Sequence, residues 1–546
     1  MKRAALVLLV VALAAAGCGG KSKSGAKGNV KQGGVLRLGT SSRIDSLNPF
    51  VAFNQDAYTT FMYVYPFLVQ YDRQLHFAAD FATKWEASAD GKSWTFHTRS
   101  GAKWSDGKPL TAADAAWTIN TDVAFQKGTA ANAAGLVAHI AKATTPDPNT
   151  LVVHYAAPVG NVLGQMQQLA ILPKHIWAKY AADKGKNLKT FPNGAPIVSG
   201  GAFMLTKFKK DQIALFKRNP NFYGPKPHVD GFGLQMYSND DAMISALKSH
   251  ELDALETVPP TAIATVKKAG FVVTQVPAVT ENDFIFNSNP KKTSHRELLN
   301  PTLREAFAHA IDRTKIAHVV WLDTAKPGAS IIPPATGVWH DPNVKPESFD
   351  LALANKQLDS LGYKKGAGGI RVADGHKMSY AVITPSDLTG VDRTFQIIQA
   401  DLHKIGVNLT QKALDSSAAF DAITAPGTKY LNFDLAMWDW VPLIDPDFML
   451  SVVTCDQYGG WSDSGYCNKA YDAMYQKQGT TLNQDERKLI VYQMQEKLAR
   501  DKPYIFLNYE SWISAHSKGW DGFVDSPQGP FNSLSKGSLT AVHRVG

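Results

Sequence analysis

The chain has 546 residues, of which 44% are hydrophobic, and it carries a net charge of +9 and three cysteines. Six of its cationic residues lie within the first 32 positions, where there are no acidic residues, so the remaining chain carries only +3. Because no basic stripe with interleaved aromatic residues follows, these numbers argue against nucleic acid as a partner. The length predicts two or three hydrophobic cores and more than one domain.

The amino terminus has the pattern of an export signal. Met-Lys-Arg is followed by an uninterrupted apolar stretch over residues 4–16, which is shorter than the roughly 20 residues of a membrane-spanning helix. Ala16-Gly17-Cys18 resembles a bacterial lipobox, in which the cysteine is lipidated and becomes the first mature residue. We predict a signal peptide over residues 1–17 and a lipid anchor on Cys18. The alternative is a plain secretory signal with an incidental cysteine.

Residues 18–32 are predicted to be a flexible tether. After Cys18 this stretch is mostly glycine, serine and lysine, with too little apolar surface to fold. Its lysines would be attracted to an anionic membrane surface. The tether is therefore what a membrane-anchored, extracytoplasmic protein needs, either in the periplasm or at the outer face of the cytoplasmic membrane.

The first half of the body begins with strands. "GGVLRLGT" (33–40) predicts a strand, and the alternation in "SWTFHTRSGAKWSDGKPL" (93–110) predicts a hairpin. Thr111 to Asp114 has the spacing of a capping box, and residues 115–125 follow with helical periodicity.

Helix and strand signals then alternate through the second half. The pattern predicts a helix and a short strand in 240–255, and a helix over 300–316 that is capped by Asn300 and has Pro301 in its first turn. A further helix ends at Gly406 before a strand, and another ends at Pro503 before a strand. This order predicts layered α/β lobes.

Two cysteines remain in the body, Cys455 and Cys467. In an exported chain such a close pair predicts a disulfide that closes a glycine-rich loop. A metal site is the alternative, although the chain has no second cysteine pair, no histidine nearby and no H-E-x-x-H sequence. We predict the disulfide, no metal site and no cofactor.

Several blocks resemble the family 5 solute-binding proteins, the peptide and dipeptide receptors of ABC importers. The blocks occur in the family's order over some 480 residues. They are "GGVLRLGTSSRIDSLNPF", "FATKWEASADGKSWTFHTRSGAKWSDGKPLTAADAAWTIN", "GGAFMLTKF" through "RNPNFYGPKPHVDGF", "LREAFAHAIDR", "LANKQLDSLGY" and "DPDFMLSVVTC".

The resemblance implies a two-lobed α/β fold of the periplasmic-binding-protein type, of the three-domain cluster C class, with a ligand cleft between the lobes. We expect lobe I over residues 33–282, with an extra subdomain at about 51–199, lobe II over 283–511, and a return to lobe I over 512–546.

The expected function follows from the same resemblance. The protein would capture peptides in the cleft, close by hinge rotation and deliver them, as a monomer, to the permease subunits of an ABC importer. Since members of the family differ in cargo, a nickel chelate, an opine or an oligosaccharide remains an alternative.

An anchored exported hydrolase is the distant alternative, and the sequence gives it little support. The chain has no G-x-S-x-G elbow and no phosphate-binding G-x-x-x-x-G-K-[ST] loop, and it lacks the set of S-x-x-K together with S-D-N and K-T-G. Asp439 and Asp445 are a conceivable acid–base pair, but turn capping explains each more simply. We therefore expect no enzymatic activity.

The candidate ligand residues lie in "LAMWDWVPLIDPDF" (435–448). In the family, this stretch lines the cleft, and an aspartate shortly before the Asp-Pro holds the ligand's ammonium group. Here Pro442-Leu443-Ile444 fills that interval, so Asp445 or Asp439 is the candidate anchor, with Trp438 and Trp440 as apolar walls. Asn48 in the Leu-Asn-Pro turn is a further candidate contact, for which ordinary turn capping is the alternative.

Overall fold

The structure, a computed structural model, describes residues 30–546 except residues 53, 387 and 425–432. The predicted signal peptide, Cys18 and most of the predicted tether lie outside these residues.

The elements before residue 272 are mostly short. In chain order they are β1 (Val30–Lys31), β2 (Val35–Thr40), α1 (Gln55–Val64), β3 (Val69–Tyr71), β4 (Phe77–Ala79), β5 (Ala82–Ala87), β6 (Ser93–Thr98), α2 (Ala112–Phe125), β7 (Ile140–Asp147), β8 (Thr150–Tyr155), α3 (Val162–Gln168), α4 (Lys174–Ala181), β9 (Phe203–Lys209), β10 (Ile213–Arg218), β11 (Gly231–Met236), α5 (Asp240–Lys248), β12 (Ala254–Leu255) and α6 (Ile263–Lys268).

The remaining elements include the two longest strands. In chain order they are β13 (Val272–Phe286), α7 (Pro301–Ala310), α8 (Arg313–Val319), β14 (Lys326–Pro327), α9 (Leu351–Ser360), β15 (Val372–Ala373), β16 (His376–Lys377), β17 (Ser379–Pro385), α10 (Val391–Lys404), β18 (Asn408–Leu414), α11 (Ser416–Thr424), β19 (Leu435–Trp440), α12 (Asp447–Val452), α13 (Lys469–Thr480), α14 (Gln484–Asp501), β20 (Tyr504–His516), β21 (Trp520–Asp521), α15 (Gly537–Ala541) and β22 (His543–Val545).

One sheet runs through the molecule in the order β18-β17-β19-β13-β20-β12-β2-β11-β10-β9, with β14 also paired to β20. Its centre is the antiparallel pair β13 and β20, of 15 and 13 residues. The pairing changes register between Pro277 and Glu281 and again between Asn282 and Asp283. Such irregularities bend a strand pair locally, and here they lie between the two ends of the sheet.

Hydrophobic clusters divide the molecule into two lobes on either side of these strands. In lobe I, β2 and β9–β12 pack within two clusters that lie between residues 36 and 271 and take in residues 513–542. In lobe II, two clusters drawn from residues 284–507 cover the two faces of β17–β19. The α/β fold with two lobes that the sequence predicted is confirmed.

Local sequence signals placed several elements correctly. Thr111 and Asp114 form both hydrogen bonds of a capping box at the start of α2. The side chain of Asn300 caps α7, with Pro301 in the first turn. Gly406 has φ +86° after α10, where a left-handed residue ends the helix. The strand predicted within 33–40 is present as β2, and the short strand predicted within 240–255 is present as β12.

The sequence predicted a hairpin over residues 93–110, in which the first strand pairs with the residues after the turn, and this pairing was wrong. The strand β6 pairs with β5 and β8 of a four-stranded sheet, not with the residues that follow it. Those residues instead form a tight turn, closed by a hydrogen bond from the Trp104 N–H to the Lys108 carbonyl at 2.9 Å. Trp104 is fully buried in lobe I, so packing holds this segment in place.

Two further local details differ from the sequence prediction. The helix capped by Asn300 ends at Ala310, because Asp312 caps a new helix by accepting a hydrogen bond from the Lys315 N–H at 2.9 Å. In the predicted tether, Val30 and Lys31 form strand β1 and pair with β22 near the carboxyl terminus. Among the described residues, no helix is long and apolar enough to span a membrane.

Candidate ligand site between the lobes

The strand directions place a crevice between the lobes. In lobe I, β12 is antiparallel to β20 and parallel to β2, while in lobe II β19 is antiparallel to β13 and parallel to β17. The carboxyl ends of the parallel strands in each lobe therefore point at the other lobe. In open α/β sheets, ligands bind outside these carboxyl ends, so the crevice is the candidate site.

The lobes contact each other along one side of this crevice. The Gly160 N–H of lobe I donates to the Gly479 carbonyl of lobe II at 2.7 Å, and the Gln484 side chain donates to the Gly160 carbonyl at 3.1 Å. A Cβ atom on Gly160 would lie 2.3 Å from the Thr481 carbonyl oxygen, so this approach requires glycine. The two lobes are therefore in direct backbone contact at Gly160.

A small apolar cluster joins the lobes beside the crossing strands β13 and β20. It contains Tyr71 and Leu534 from lobe I, Val279 from β13, and Ile444 from lobe II. Each of the four side chains is at most 4% exposed. Ile444 belongs to the segment that the sequence identified as cleft-lining, and the structure places it at the lobe interface.

Asp445, a predicted anchor, is engaged by a protein side chain. Its two carboxylate oxygens accept hydrogen bonds from the Arg487 guanidinium at 2.6 and 2.7 Å. The guanidinium also donates to Gln478 at 2.9 Å and lies over the Trp339 ring, 4.7 Å from its centroid. Asp445 is 6% exposed. With both oxygens occupied in this geometry, it is a poor candidate for holding a ligand cation.

Asn48 likewise has a complete set of local partners. Its amide donates to the carbonyls of Leu188 and Phe191 at 2.8 and 2.7 Å, and its oxygen accepts from the Phe50 N–H at 2.8 Å. The side chain is 3% exposed. These contacts match the turn-capping alternative stated from the sequence.

Asp439, Trp438 and Trp440 lie at the crevice end of β19. In the ladder with β13, Trp438 is opposite Asp283, and Asp439 is opposite Asn282. Side chains alternate faces along a strand, so the two tryptophans share one face and Asp439 lies on the other. Asp439 and Trp438 are half-buried, so they remain candidate ligand contacts.

The tryptophans belong to an aromatic cluster in lobe II. Its members are Phe420, Trp438, Trp440, Phe448 and Trp461, whose ring centroids lie 5.4 to 6.4 Å apart. Trp461 is 47% exposed, whereas Trp440 is 8% exposed. The cluster therefore extends from the interior of lobe II to its surface.

The loop that carries Trp461 is closed by the predicted disulfide. Cys455 and Cys467 are bonded, with their Cα atoms 4.4 Å apart. This bond removes the metal-site alternative for the pair. Nowhere in the described parts of the chain do three His, Cys, Asp or Glu side chains come together in a way that suits a metal ion.

The structure adds carboxylates that the sequence analysis did not identify. Glu281 and Asp283 of β13 share a face with Trp438 and Trp440. Their side chains are 0% and 1% exposed, and no donor among the described residues has full hydrogen-bond geometry to any of their four oxygens. Asp463, fully buried nearby, accepts hydrogen bonds from the Tyr504 hydroxyl and from the Trp440 indole N–H at 3.0 Å. We call Glu281, Asp283 and Asp463 the acid group.

Burial and mutual repulsion raise the pKa values of the acid group. Burial, together with Asp463 and Asp439, holds the pKa of Glu281 well above its usual range. The pKa of Asp283 is raised in the same way by burial and then by Glu281, Asp463 and Asp439, while the Trp438 backbone N–H opposes the rise. Burial raises the pKa of Asp463 to about 6, against the hydrogen bonds that it accepts.

Lobe I presents a second pair of acids at its crevice edge. Glu256 directly follows β12, and Asp56 lies in the first turn of α1. Burial raises the pKa of Asp56 to about 7, while Arg43 opposes the rise. Burial, and then Asp56, raise the pKa of Glu256 well above its usual range.

One protein family and one bacterial protein match most of the chain in sequence. The family model described as "Bacterial extracellular solute-binding proteins, family 5 Middle" matches residues 76–460. A Deinococcus radiodurans protein named "Probable ABC transporter-binding protein" is 26% identical, with 94% of this chain and 92% of that protein covered.

Two solved structures are similar in fold. The periplasmic binding protein DppA from Helicobacter pylori, in complex with the peptide STSA, aligns with a TM-score of 0.75 at 21% identity, covering 94% of this chain and 99% of that one. NikZ from Campylobacter jejuni, in complex with Ni(L-His), aligns with a TM-score of 0.77 at 21% identity, covering 93% and 99%.

Proposed function

The chain belongs to the bacterial extracellular solute-binding proteins of family 5, and we propose that it captures peptides between its two lobes for an ABC importer. The observation that carries this proposal is the crevice itself, which lies between opposed carboxyl ends of parallel strands and is bridged by two long strands. A site of this kind surrounds a whole small ligand and closes over it by hinge rotation.

The boundaries proposed for the lobes are those expected from the sequence. Lobe I takes residues 33–282, including the subdomain at about 51–199, lobe II takes 283–511, and residues 512–546 return to lobe I. The hydrophobic clusters support this division, because residues 513–542 pack with lobe I and residues 284–507 with each other. The irregular register near Glu281 supports a hinge at the proposed boundary.

We propose that peptide binding uses the crevice end of β19. Peptide backbones offer the same N–H and C=O groups whatever their side chains, so main-chain hydrogen bonds give affinity without reading sequence. Trp438 and Trp440 would supply apolar walls, and the half-buried Asp439 remains the candidate for the peptide's terminal ammonium. Because both oxygens of Asp445 accept hydrogen bonds from Arg487, we assign Asp445 a structural role in the segment after β19.

Anchoring and delivery complete the proposal. Cys18 would be lipidated and hold a monomer at the extracytoplasmic face of the membrane, where the closed form meets the permease subunits. Pairing of β1 with β22 supports a tether that leaves lobe I beside the carboxyl terminus. Replacing Cys18 by Ser should release the protein or leave an unprocessed precursor. Mature Cys18→Ser protein that resists high-salt washing of the membranes would contradict the anchor.

Mass spectrometry of ligands carried through native purification tests the cargo. A ladder of short peptides is the expected result, whereas a single sugar, an opine or a nickel chelate would favour the non-peptide alternative.

Calorimetry tests the role of Asp439 in peptide binding. We expect Asp439→Asn to weaken the binding of a free peptide by about tenfold or more, as for a lost charge-assisted hydrogen bond. N-terminal acetylation should weaken wild-type binding similarly and add little in the variant.

A further inference from the structure

Glu281 and Asp283 are two buried acids with no cationic side chain acting on either of them among the described residues. Both side chains lie on one face of β13, and no donor among the described residues has full hydrogen-bond geometry to any of their four oxygens. The one group that favours a charged form is the Trp438 backbone N–H, which lowers the pKa of Asp283 against the larger effects that raise it. The charged groups that act on them are all acidic, namely each other, Asp439 and Asp463. A buried carboxylate without a counter-charge is costly, so such a pair calls for an explanation.

Asp463, the third member of the acid group, has hydrogen-bond partners. Asp463 is satisfied by the Tyr504 hydroxyl and the Trp440 indole, and it also lies close enough to raise the pKa of Glu281. Its position is fixed from both sides, by β20 through Tyr504 and by β19 through Trp440. Asp463 therefore adds negative potential beside Glu281 and Asp283 while needing no further partner itself.

The unpartnered pair lies at the level of the hinge. Glu281 is opposite Tyr509 on one side and Trp440 on the other, directly after the register shift that begins at Pro277. The Trp440 ring contacts Trp461, with centroids 6.4 Å apart, and Trp461 is 47% exposed. The aromatic cluster of lobe II therefore begins beside the pair, at Trp440 opposite Glu281, and reaches the surface of lobe II at Trp461.

We infer that Glu281 and Asp283 bind a cationic nitrogen group of the cargo, the ammonium of lysine or the guanidinium of arginine in a basic peptide. This inference rests on the proposed function and narrows its substrate class. Glu281, Asp283 and the neighbouring Asp463 are three acids, and together they can balance more positive charge than the single ammonium at a peptide's amino terminus carries. Aromatic rings around the acids favour an organic cation, since ring faces attract ammonium and guanidinium groups.

Calorimetry with tri-lysine and tri-alanine tests this inference on the wild type and on E281Q, D283N and D122N. Asp122 is the matched control, because it is also a buried acid whose pKa is raised by burial, to about 8, but it lies in α2 of lobe I. We expect wild type and D122N to bind tri-lysine at least about tenfold more tightly than tri-alanine. E281Q and D283N should lose that preference and still bind tri-alanine.

The outcomes separate this inference from the proposed function. Tri-alanine binding with no preference for tri-lysine in the wild type, or a preference that survives in both E281Q and D283N, overturns the inference alone. Failure of the wild type to bind either tripeptide overturns the proposed function and the inference with it. Titration with CaCl2 and NaCl adds another arm, in which binding of either ion that E281Q abolishes would assign the pair to an inorganic cation.

A measurement on the wild type removes any dependence on how the variants fold. The titratable groups that act on the pair are Asp463, Tyr504, Tyr509 and, from the other face of β19, Asp439. Burial and the neighbouring acids favour the protonated forms of Glu281 and Asp283, so a cation that ionises either one displaces a proton. Tri-lysine should therefore release more protons than tri-alanine in titrations between pH 5 and pH 8. Titrations in phosphate and Tris, which differ in ionisation enthalpy, report this number. Equal proton release by the two peptides would overturn the inference.

Discussion

The Arg487 guanidinium holds both carboxylate oxygens of Asp445, at 2.6 and 2.7 Å, and the two side chains are 0% and 7% exposed. This pair ties α14 to the segment after β19, next to the point where lobe II meets Gly164 of lobe I. Asp445 is thereby a positioning residue at the interface, a role that differs from the ligand contact expected from the sequence.

Asp445→Ala should therefore destabilise the protein. Removing one partner leaves the Arg487 cation buried and unpaired, which typically costs about 3–5 kcal/mol. Equilibrium unfolding in urea measures this loss. Asp485→Ala is the control, because Asp485 pairs with Lys488 at 3.1 Å but its side chain is 91% exposed, so the change should be small. An Asp445→Ala protein as stable as wild type would contradict the assignment.

The disulfide should stabilise the loop that carries Trp461 and Asp463. Cys455 and Cys467 are 12 residues apart, and closing a loop of this size contributes roughly 2–3 kcal/mol on the chain-entropy model. The Cys455→Ser/Cys467→Ser protein should show that loss in urea unfolding. Thiol titration after non-reducing, acid-quenched unfolding should find neither cysteine free in the wild type. Two titratable thiols from this pair would show that the bond is absent.

Elements governed by neighbours in the sequence were predictable. Thr111 with Asp114, Asn300 with Pro301, and Gly406 each act within a few residues, so their patterns are visible in a single stretch of sequence. The family blocks added the two-lobed arrangement, which periodicity alone does not specify.

Features set by distant partners were not predictable. The partner of Asp445 lies 42 residues away, and β1 pairs with residues more than 500 positions later. In "TENDFIF", Glu281 and Asp283 lie in a run of four polar residues (280–283), which does not mark them as buried, although their spacing of two places them on one face of a strand. Only the pairing of β13 with β19 and β20, and the packing of lobe II over that face, bury the two acids.

Buried acids near the hinge should make stability depend on pH. Burial raises the pKa of Glu510 from 4.5 to about 7, with Asp439 adding to the rise and a hydrogen bond from Asn282 opposing it. Between these two values the folded state binds more protons than the unfolded state. The free energy of unfolding should therefore fall as the pH rises from about 4.5 to about 7.

Glu510→Gln should reduce this slope. The full shift corresponds to at most about 3 kcal/mol, and Asp56, whose pKa is also about 7, adds to the same trend. Urea unfolding of wild type and variant at pH 5 and pH 7.5 measures the difference. Glu86→Gln, on a side chain that is 56% exposed, should leave the slope as in the wild type. A steeper slope in Glu510→Gln would show that the sign is wrong.

We expect the contact between the lobes at Gly160 to contribute to ligand affinity. Its N–H donates to the Gly479 carbonyl across the interface, and a Cβ at this position would lie 2.3 Å from the Thr481 carbonyl oxygen. Gly160→Ala should therefore disfavour closure while leaving each lobe intact. Overpacking of this kind costs about 1–3 kcal/mol, which corresponds to affinity for a bound peptide about 5- to 150-fold weaker.

Calorimetry and small-angle X-ray scattering measure the two consequences of Gly160→Ala. Scattering with saturating peptide should give a larger radius of gyration than the wild type, since a ligand shifts the population only by its differential affinity for the closed state. Gly135→Ala is the matched control, because Gly135 also lies in lobe I and a Cβ there would meet nothing within 4 Å. If Gly160→Ala binds and closes as Gly135→Ala does, the contact between the lobes does not contribute to binding.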